Sequence, residues 1–240
     1  MLLLAALLLG GCTHEGEESC REEQYHEGEE SCREEQYSAK PVIYIYPEET
    51  ADAKPVIYLS PETAMDVTVQ LDYAGTLTCT YPAYENGWHI TAAPDGTLTD
   101  ASGQTYRYLY WEGCDDTEYD FSSGFCVPGD ETAAFLEKAL DALGLTRTEA
   151  NEFIIYWLPK MQENPYNLIA FQTDAYTQSA RLKVTPEPDT MLRVFMAWAA
   201  LDEPVELPEQ VLSAPERRGF SVVEWGGAEL RAGAEAALAE

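Results

Sequence analysis

Basic residues are scarce: 14 Lys and Arg stand against 43 Asp and Glu, a formal charge of −29 over 240 residues. Recognition of nucleic acid rests on clusters of Lys and Arg that neutralise phosphates, so this composition excludes nucleic acid as a partner. It equally excludes adhesion to anionic lipid by electrostatics alone. Histidine is scarcer still, with three residues, two of them inside an acidic repeat. That leaves His89, on the strand pattern Trp88-His89-Ile90, as the imidazole of the remaining chain. There is no His-Glu-x-x-His zinc helix, no Gly-rich phosphate loop and no Gly-x-Ser-x-Gly elbow. A Ser-His-Asp hydrolase would therefore have to use His89, and an exposed strand histidine is the simpler reading. No apolar run reaches the roughly 20 residues of a membrane-spanning helix.

The apolar run nearest the N-terminus goes from Leu2 to Leu9 and is closed by Gly10, Gly11 and Cys12. A core of this size before small residues has the form of a signal peptide, whose apolar region is about 7–15 residues. Leu9-Gly10-Gly11-Cys12 resembles the lipobox of bacterial lipoproteins, which implies diacylation of the Cys12 thiol and removal of residues 1–11. No Lys or Arg precedes the run, and the rival reading is an ordinary signal peptide with a coincidental cysteine. The expectation is an extracytoplasmic chain held on the cell membrane through a lipid anchor on Cys12.

Two repeats follow. HEGEESCREEQY occupies 14–25 and again 26–37; with almost no aliphatic side chain it cannot build a core, so 12–52 reads as an acidic tether. The His14 to Cys20 spacing is not the short ligand spacing of a zinc site. AKPVIYIYPEET begins at Ala39 and AKPVIYLSPETA at Ala53, each holding a Pro-bounded run that predicts a short strand. The second copy is assigned to the folded domain and the first to a spare or edge strand.

From Met65 the chain alternates. Val67 to Leu71, Leu77 to Tyr81, Gly87 to Ala93, Thr97 to Thr99 and Thr105 to Trp111 predict antiparallel strands joined by tight turns such as Pro94-Asp95-Gly96. The pattern then turns helical. Asp130 is placed to cap a helix with Phe135, Leu136, Ala139, Leu140 and Leu143 on one face, ended by Gly144. Thr146 and Glu149 form a capping box for a second helix burying Ala150, Phe153, Ile154 and Trp157, with Pro159 as its stop. Strand patterns return at 167–172, 180–185, 191–198 and 220–225. The fold expected is α+β: a mainly β, β-sandwich-like domain of antiparallel sheets over 53–227 with a helical hairpin inserted at about 130–160, and an Ala/Glu tail over 228–240. A split into two domains near Gly129 is the alternative.

Lys-Pro-Val-Ile-Tyr-Leu at 54–59, Tyr-Leu-Tyr-Trp-Glu-Gly at 108–113, Tyr-Trp-Leu-Pro-Lys-Met at 156–161 and Val-Val-Glu-Trp-Gly-Gly at 222–227 resemble a family of secreted proteins from Gram-positive gut bacteria with no established activity. The resemblance implies export and a single folded unit over 53–227, and it lends no catalytic residues. Ser60-Pro61 stands where that family has Tyr-Pro, whereas Tyr46-Pro47 of the first copy fits, so which copy fills the native strand stays open.

Six cysteines are present. With Cys12 lipidated an odd number remains; Cys114 and Cys126 flank a loop that a disulfide could close, with Cys79 as a rival, and the other reading keeps all thiols reduced. Glu112, Asp115, Asp116, Glu118 and Asp120 crowd beside Tyr108, Tyr110 and Trp111. Asp116, Glu118 and Asp120 have the alternate spacing of an EF-hand calcium loop, but Phe121 stands where that loop needs glycine and Val127 where it needs glutamate. No cofactor is implied, and calcium is the one ion the pattern admits. A glycosidase would need two carboxyls about 5 Å or 6.5–9.5 Å apart across a cleft, and Glu112 or Glu224 would have to supply one. Tyr106, Tyr108 and Tyr110, with Trp111 and Glu112, form a candidate binding face: exposed, a stacking platform for sugar rings; covered, part of the core. Two functions follow as expectations: a non-catalytic surface module for a glycan, a wall polymer or a protein partner, or an extracytoplasmic hydrolase of envelope or dietary polymers.

Overall fold

Pieces rich in β-branched and aromatic residues, cut short by Pro, Gly, Asn and Asp, become strands in the computed structural model, which describes residues 44–46 and 51–233. The expected signal peptide, Cys12, the Glu-rich repeat with Cys20 and Cys32, and the tail beyond Gly233 lie outside the described residues. In chain order the elements are β1 (Tyr44–Tyr46), β2 (Ala51–Ala53), β3 (Val56–Ser60), β4 (Met65–Tyr73), β5 (Thr76–Tyr81), β6 (Trp88–Ala92), β7 (Leu98–Asp100), β8 (Thr105–Tyr106), β9 (Leu109–Asp115) and β10 (Phe125–Pro128). A 3₁₀ turn (Gly129–Glu131) leads into α1 (Thr132–Ala142) and α2 (Arg147–Met161). Then come β11 (Tyr166–Gln172), α3 (Asp174–Ser179), β12 (Ala180–Thr185), β13 (Thr190–Leu201) and β14 (Ser221–Gly233).

The strands make two sheets. The larger has nine strands in the order β10-β11-β13-β14-β3-β9-β2, with β1 added on β14 and β5 on β9; the smaller has five, β12-β4-β6-β7-β8. Side-chain alternation explains the layering, because successive residues of a strand point to opposite faces. Ile57 and Leu59 of β3 join Val67 and Val69 of β4, Trp88 of β6, Trp111 of β9 and Phe195 of β13 in a core between the sheets. Val56 and Tyr58 of the same strand face the other way, into a second core with Leu136 and Leu140 of α1, Phe153 and Trp157 of α2, Trp198 of β13 and Trp225 of β14. The protein is thus mainly β, with the helical hairpin covering the outer face of the large sheet. Each such buried side chain contributes about 1.5–3 kcal/mol.

β3 reads as a continuous apolar run because both its faces are covered, and its central place, between β14 and β9, gives the second repeat copy the interior strand. The first copy supplies β1, which pairs with Arg231–Gly233 at the far end of β14. β1 and the first two residues of β2 fall inside the span expected to be tether, so the sheet begins earlier in the chain than 53. It also ends later. β14 runs on through Ala228 to Gly233 instead of stopping at 227, since Ala228 and Leu230 are buried between the sheets. Gly227 is required there: a Cβ would sit 2.6 Å from the Met196 carbonyl oxygen and 2.8 Å from Trp157 Cζ2.

Other expectations change with the geometry. Thr105 to Trp111 is not one strand: β8 belongs to the small sheet and β9 to the large one, the chain crossing between layers at Arg107 and Tyr108. β13 and β14 run parallel, where antiparallel neighbours were expected, because the 202–220 connector carries the chain back to the starting end. Asp130 lies in the 3₁₀ turn and makes no cap; Glu131 occupies the α1 N-cap without a side-chain bond. The α2 capping box is present, with Thr146 Oγ1 and the Glu149 carboxylate exchanging backbone bonds. Pro159 sits inside α2, not at its end: one missing N–H in the last turn does not prevent Gln162 N–H from donating to Leu158 O at 3.0 Å.

Candidate functional site

Four segments far apart in sequence meet on the large sheet: 54–59 as β3 and its approach, 108–113 as β9, 156–161 as the end of α2, and 222–227 as β14. Val56 pairs with Tyr110 and also with Trp225, and a Cβ on Gly226 would lie 2.9 Å from Pro55 Cα. The aromatic and charged residues of these segments therefore sort onto just two faces.

The helix-side face carries Lys54, Tyr58, Tyr108, Tyr110 and Glu112. Residues 152, 156 and 160 of α2 follow i, i+4, i+8 spacing and so share one flank of that helix, while Phe153, Trp157 and Met161 are buried. Lys54 Nζ donates to Glu112 Oε1 at 3.0 Å and the Tyr110 hydroxyl donates to the same oxygen. The Tyr58 hydroxyl donates to Glu152 and accepts from Trp225 Nε1 at 3.3 Å, and its ring meets Tyr108 edge-on at 5.5 Å. Lys160 Nζ lies 5.3 Å from the centroids of both Tyr156 and Trp157 and 3.9 Å from Glu229. Partial burial alone would raise the Glu112 carboxyl, but the Tyr110 hydroxyl and the Lys54 and Lys160 ammonium groups outweigh it and hold it below the ordinary carboxylate value. Burial, reinforced by the Glu112 charge, pushes Tyr110 well up, so it stays a neutral donor. Ile155 (73% exposed) and Tyr156 (36%) present apolar surface beside this network.

The opposite face holds a second carboxylate. Glu224 and the Arg193 side chain, 0% and 8% exposed, pair at 2.5 Å between the sheets. Trp111 Nε1 donates to the other Glu224 oxygen at 3.4 Å, and the Arg193 guanidinium lies 4.7 Å from the Tyr176 ring centroid. Phe195 stacks on Tyr176 at 4.0 Å and on Tyr119 at 5.5 Å. Asp115 is buried nearby on β9, accepting from Ser179 Oγ and from Thr117 Oγ1 at 2.8 Å.

The five residues of the expected binding face are thus not brought together. Tyr108, Tyr110 and Glu112 share the helix side. Trp111 is fully buried on the other side, and Tyr106 lies in the small sheet, donating to Asp100 Oδ2 at 2.8 Å. All five tryptophans, Trp88, Trp111, Trp157, Trp198 and Trp225, are buried. The Cys114–Cys126 disulfide is not formed: both are thiols, as is Cys79. β9 and β10 are five strands apart in the sheet, about 24 Å at the usual strand spacing, far beyond the roughly 7 Å limit for a bridge. Of the calcium candidates, Asp120 turns its carboxylate onto Ser122, at 2.8 Å from the amide and 3.0 Å from the hydroxyl. Asp116 and Glu118 are exposed. Among the described residues no three His, Cys, Asp or Glu side chains are grouped to hold a metal. His89 is exposed on β6 with Nδ1 3.1 Å from Thr68 Oγ1. Lys54, Tyr58, Glu152, Tyr156 and Lys160 were not singled out from sequence for chemistry, although rare cations in two aromatic segments of so acidic a chain were a usable signal.

No family model matches this chain, and no solved structure does. It is 48% identical over 76 residues to a protein of Butyrivibrio fibrisolvens described as an uncharacterized protein in the bglA 3′ region. The match covers 31% of this chain and 65% of that relative, just under two thirds of its length.

Proposed function

We propose that this chain is an extracytoplasmic lipoprotein, anchored through Cys12, whose folded part is a non-catalytic binding module for a glycan or wall polymer. The observation that carries the reading is the helix-side face of α2, where the half-exposed Tyr156 ring and the exposed Ile155 lie next to the network in which Lys54 and the Tyr110 phenol fix the Glu112 carboxylate. Tyr58 is buried, and Tyr108 and Tyr110 are partly packed into the core beneath. Rings offer flat apolar area to a sugar's C–H face, and a fixed carboxylate with neighbouring donors orients its hydroxyls. The geometry supports hydrolysis less well. Glu112 is paired with Lys54, and Glu224 is fully buried against Arg193 between the sheets, where no sugar can reach it.

The test is a binding screen of the full chain in detergent against bacterial wall polymers and plant and host glycans. Saturable binding that Tyr156→Ala and Lys160→Met each weaken at least tenfold supports the reading; binding that both variants leave intact, or none at high protein concentration, rejects it. Trp111→Ala is unsuitable as a probe because that ring is core. The anchor is tested by labelling cells with a radioactive fatty acid: incorporation is expected, and its persistence in Cys12→Ala would exclude Cys12 as the attachment point.

A further inference from the structure

Ala39-Lys40-Pro41-Val42-Ile43-Tyr44 and Ala53-Lys54-Pro55-Val56-Ile57-Tyr58 are the same six residues, 14 positions apart. The next two, Ile45 and Leu59, are isomers, and Tyr46 answers Ser60. The second copy fills the slot between β14 and β9, and the contacts that hold it there come from positions the first copy repeats. Ile57 and Leu59, both 0% exposed, enter the core between the sheets. Val56 and Tyr58 enter the core under the helices, and the Tyr58 hydroxyl meets Glu152 and Trp225 Nε1. Lys54 reaches Glu112, and Pro55 packs against Gly226, where a Cβ would not fit. Ser60, the position that differs most, is exposed, so a tyrosine fits there.

Side chains of a strand alternate between faces, so a shift by an odd number of residues would turn Ile43 and Ile45 the wrong way. A shift by 14 returns each side chain of the copy to the face its counterpart occupies. The chain has room for the shift. With the first copy in the slot, the connection to β4 grows from four residues, 61–64, to 18, 47–64, and the entropic cost of closing a loop rises only with the logarithm of its length. What the exchange gives up is local: three pairs of β1 with β14 and three of β2 with β9. Those pairs favour the second copy, whose place in the slot leaves the first to form β1.

We propose that the slot between β14 and β9 is a two-state element that either copy of the repeat fills, the second in the arrangement described above and the first in an exchanged one. The exchange moves 14 residues from the segment ahead of the sheet to the connection before β4, about 46 Å of extended chain. It changes the reach of whatever precedes the sheet and keeps the residue types that line both cores. The test follows urea unfolding of the full chain by circular dichroism. Ile57→Asp with Leu59→Asp bars the second copy from the slot, and Ile43→Asp with Ile45→Asp bars the first. Each pair is expected to keep a cooperative transition, and all four substitutions together to lose it. Occupancy is read directly by adding Tyr46→Cys and Ser221→Cys to the chain with Ile57→Asp and Leu59→Asp. Ser221 pairs with Ser60 in the structure, so oxidation should join residues 46 and 221 in a bridge mapped by mass spectrometry. In the parent, where Tyr46 pairs with Arg231, the same two cysteines should join at least tenfold more slowly. Loss of the transition on Ile57→Asp with Leu59→Asp alone would overturn the proposal. So would a four-substitution chain that still unfolds cooperatively, a folded chain without the 46–221 bridge, or a bridge formed only between molecules.

Discussion

Two glutamates on neighbouring parts of one sheet, Glu112 of β9 and Glu224 of β14, each hold a basic partner, and the two pairs behave as opposites. Lys54 and Glu112 keep 22% and 25% of their side-chain surface in water, while Arg193 and Glu224 keep 8% and 0%. Water screens the first pair, so its contribution to stability is small, about 0–1 kcal/mol. The second pair has given up its hydration, and the Glu224 carboxylate depends on Arg193 and on the Trp111 indole N–H. Removing one partner strands a charge, whereas removing both need not cost much. The fold does not lean on the outer pair, which leaves it available for the recognition proposed above. The inner pair is part of how the two sheets fit together.

The sharpest way to break the comparison is Arg193→Met, expected to cost about 3–5 kcal/mol in urea unfolding, with Arg193→Met combined with Glu224→Leu recovering most of the loss. A double variant as unstable as the single one would show that packing, not the stranded charge, sets the cost. Next in size is Gly227→Ala, where the new methyl meets the Met196 carbonyl and the Trp157 ring; about 1–3 kcal/mol is expected from overpacking, measurable as a lower melting temperature. Thr146→Ala, which removes the capping bond to the Glu149 amide, should cost about 1 kcal/mol. Lys54→Met should be smallest, within about 1 kcal/mol of the parent. It also carries a pH signature. The folded-state value of Glu112 lies below the ordinary 4.5, so its stabilisation is complete above that value and is lost as pH falls through the lowered one. The Lys54→Met difference should therefore be present at neutral pH and shrink on acidification. A difference that grows in acid would show that Lys54 does not hold Glu112 down.

The segment boundaries were largely legible: the 180–185 strand and the α2 capping box fall where the residue pattern puts them, because local alternation and Thr-x-x-Glu spacing are local physics. What the pattern could not contain was which layer each strand joins. Thr105 to Trp111 alternates without a break, and nothing in it marks that the chain changes sheets at Arg107 and Tyr108. That single crossing separates Tyr106 from Tyr108 and turns Trp111 inward. The residues after 227 were expected as an Ala/Glu tail outside the domain, and burial of Ala228 and Leu230 between the sheets draws 228–233 into β14 instead. The half of the site on α2 was hidden for a simpler reason. Glu152, Tyr156 and Lys160 gain their meaning from Tyr58 and Tyr110, which come from other elements.

One consequence of β14 concerns mechanics. Its far end is held by β1 through Tyr44, Ile45 and Tyr46, and its near end by β3 through residues 56 to 60. On a chain anchored ahead of β1, as proposed, a pull from the membrane reaches the three β1 pairs first, then the three pairs of β2 with β9, and the β3 seam only after those part. On such an anchor the duplicated strand would be the fuse: it would part first and lengthen the leash while β3 stays paired between β14 and β9.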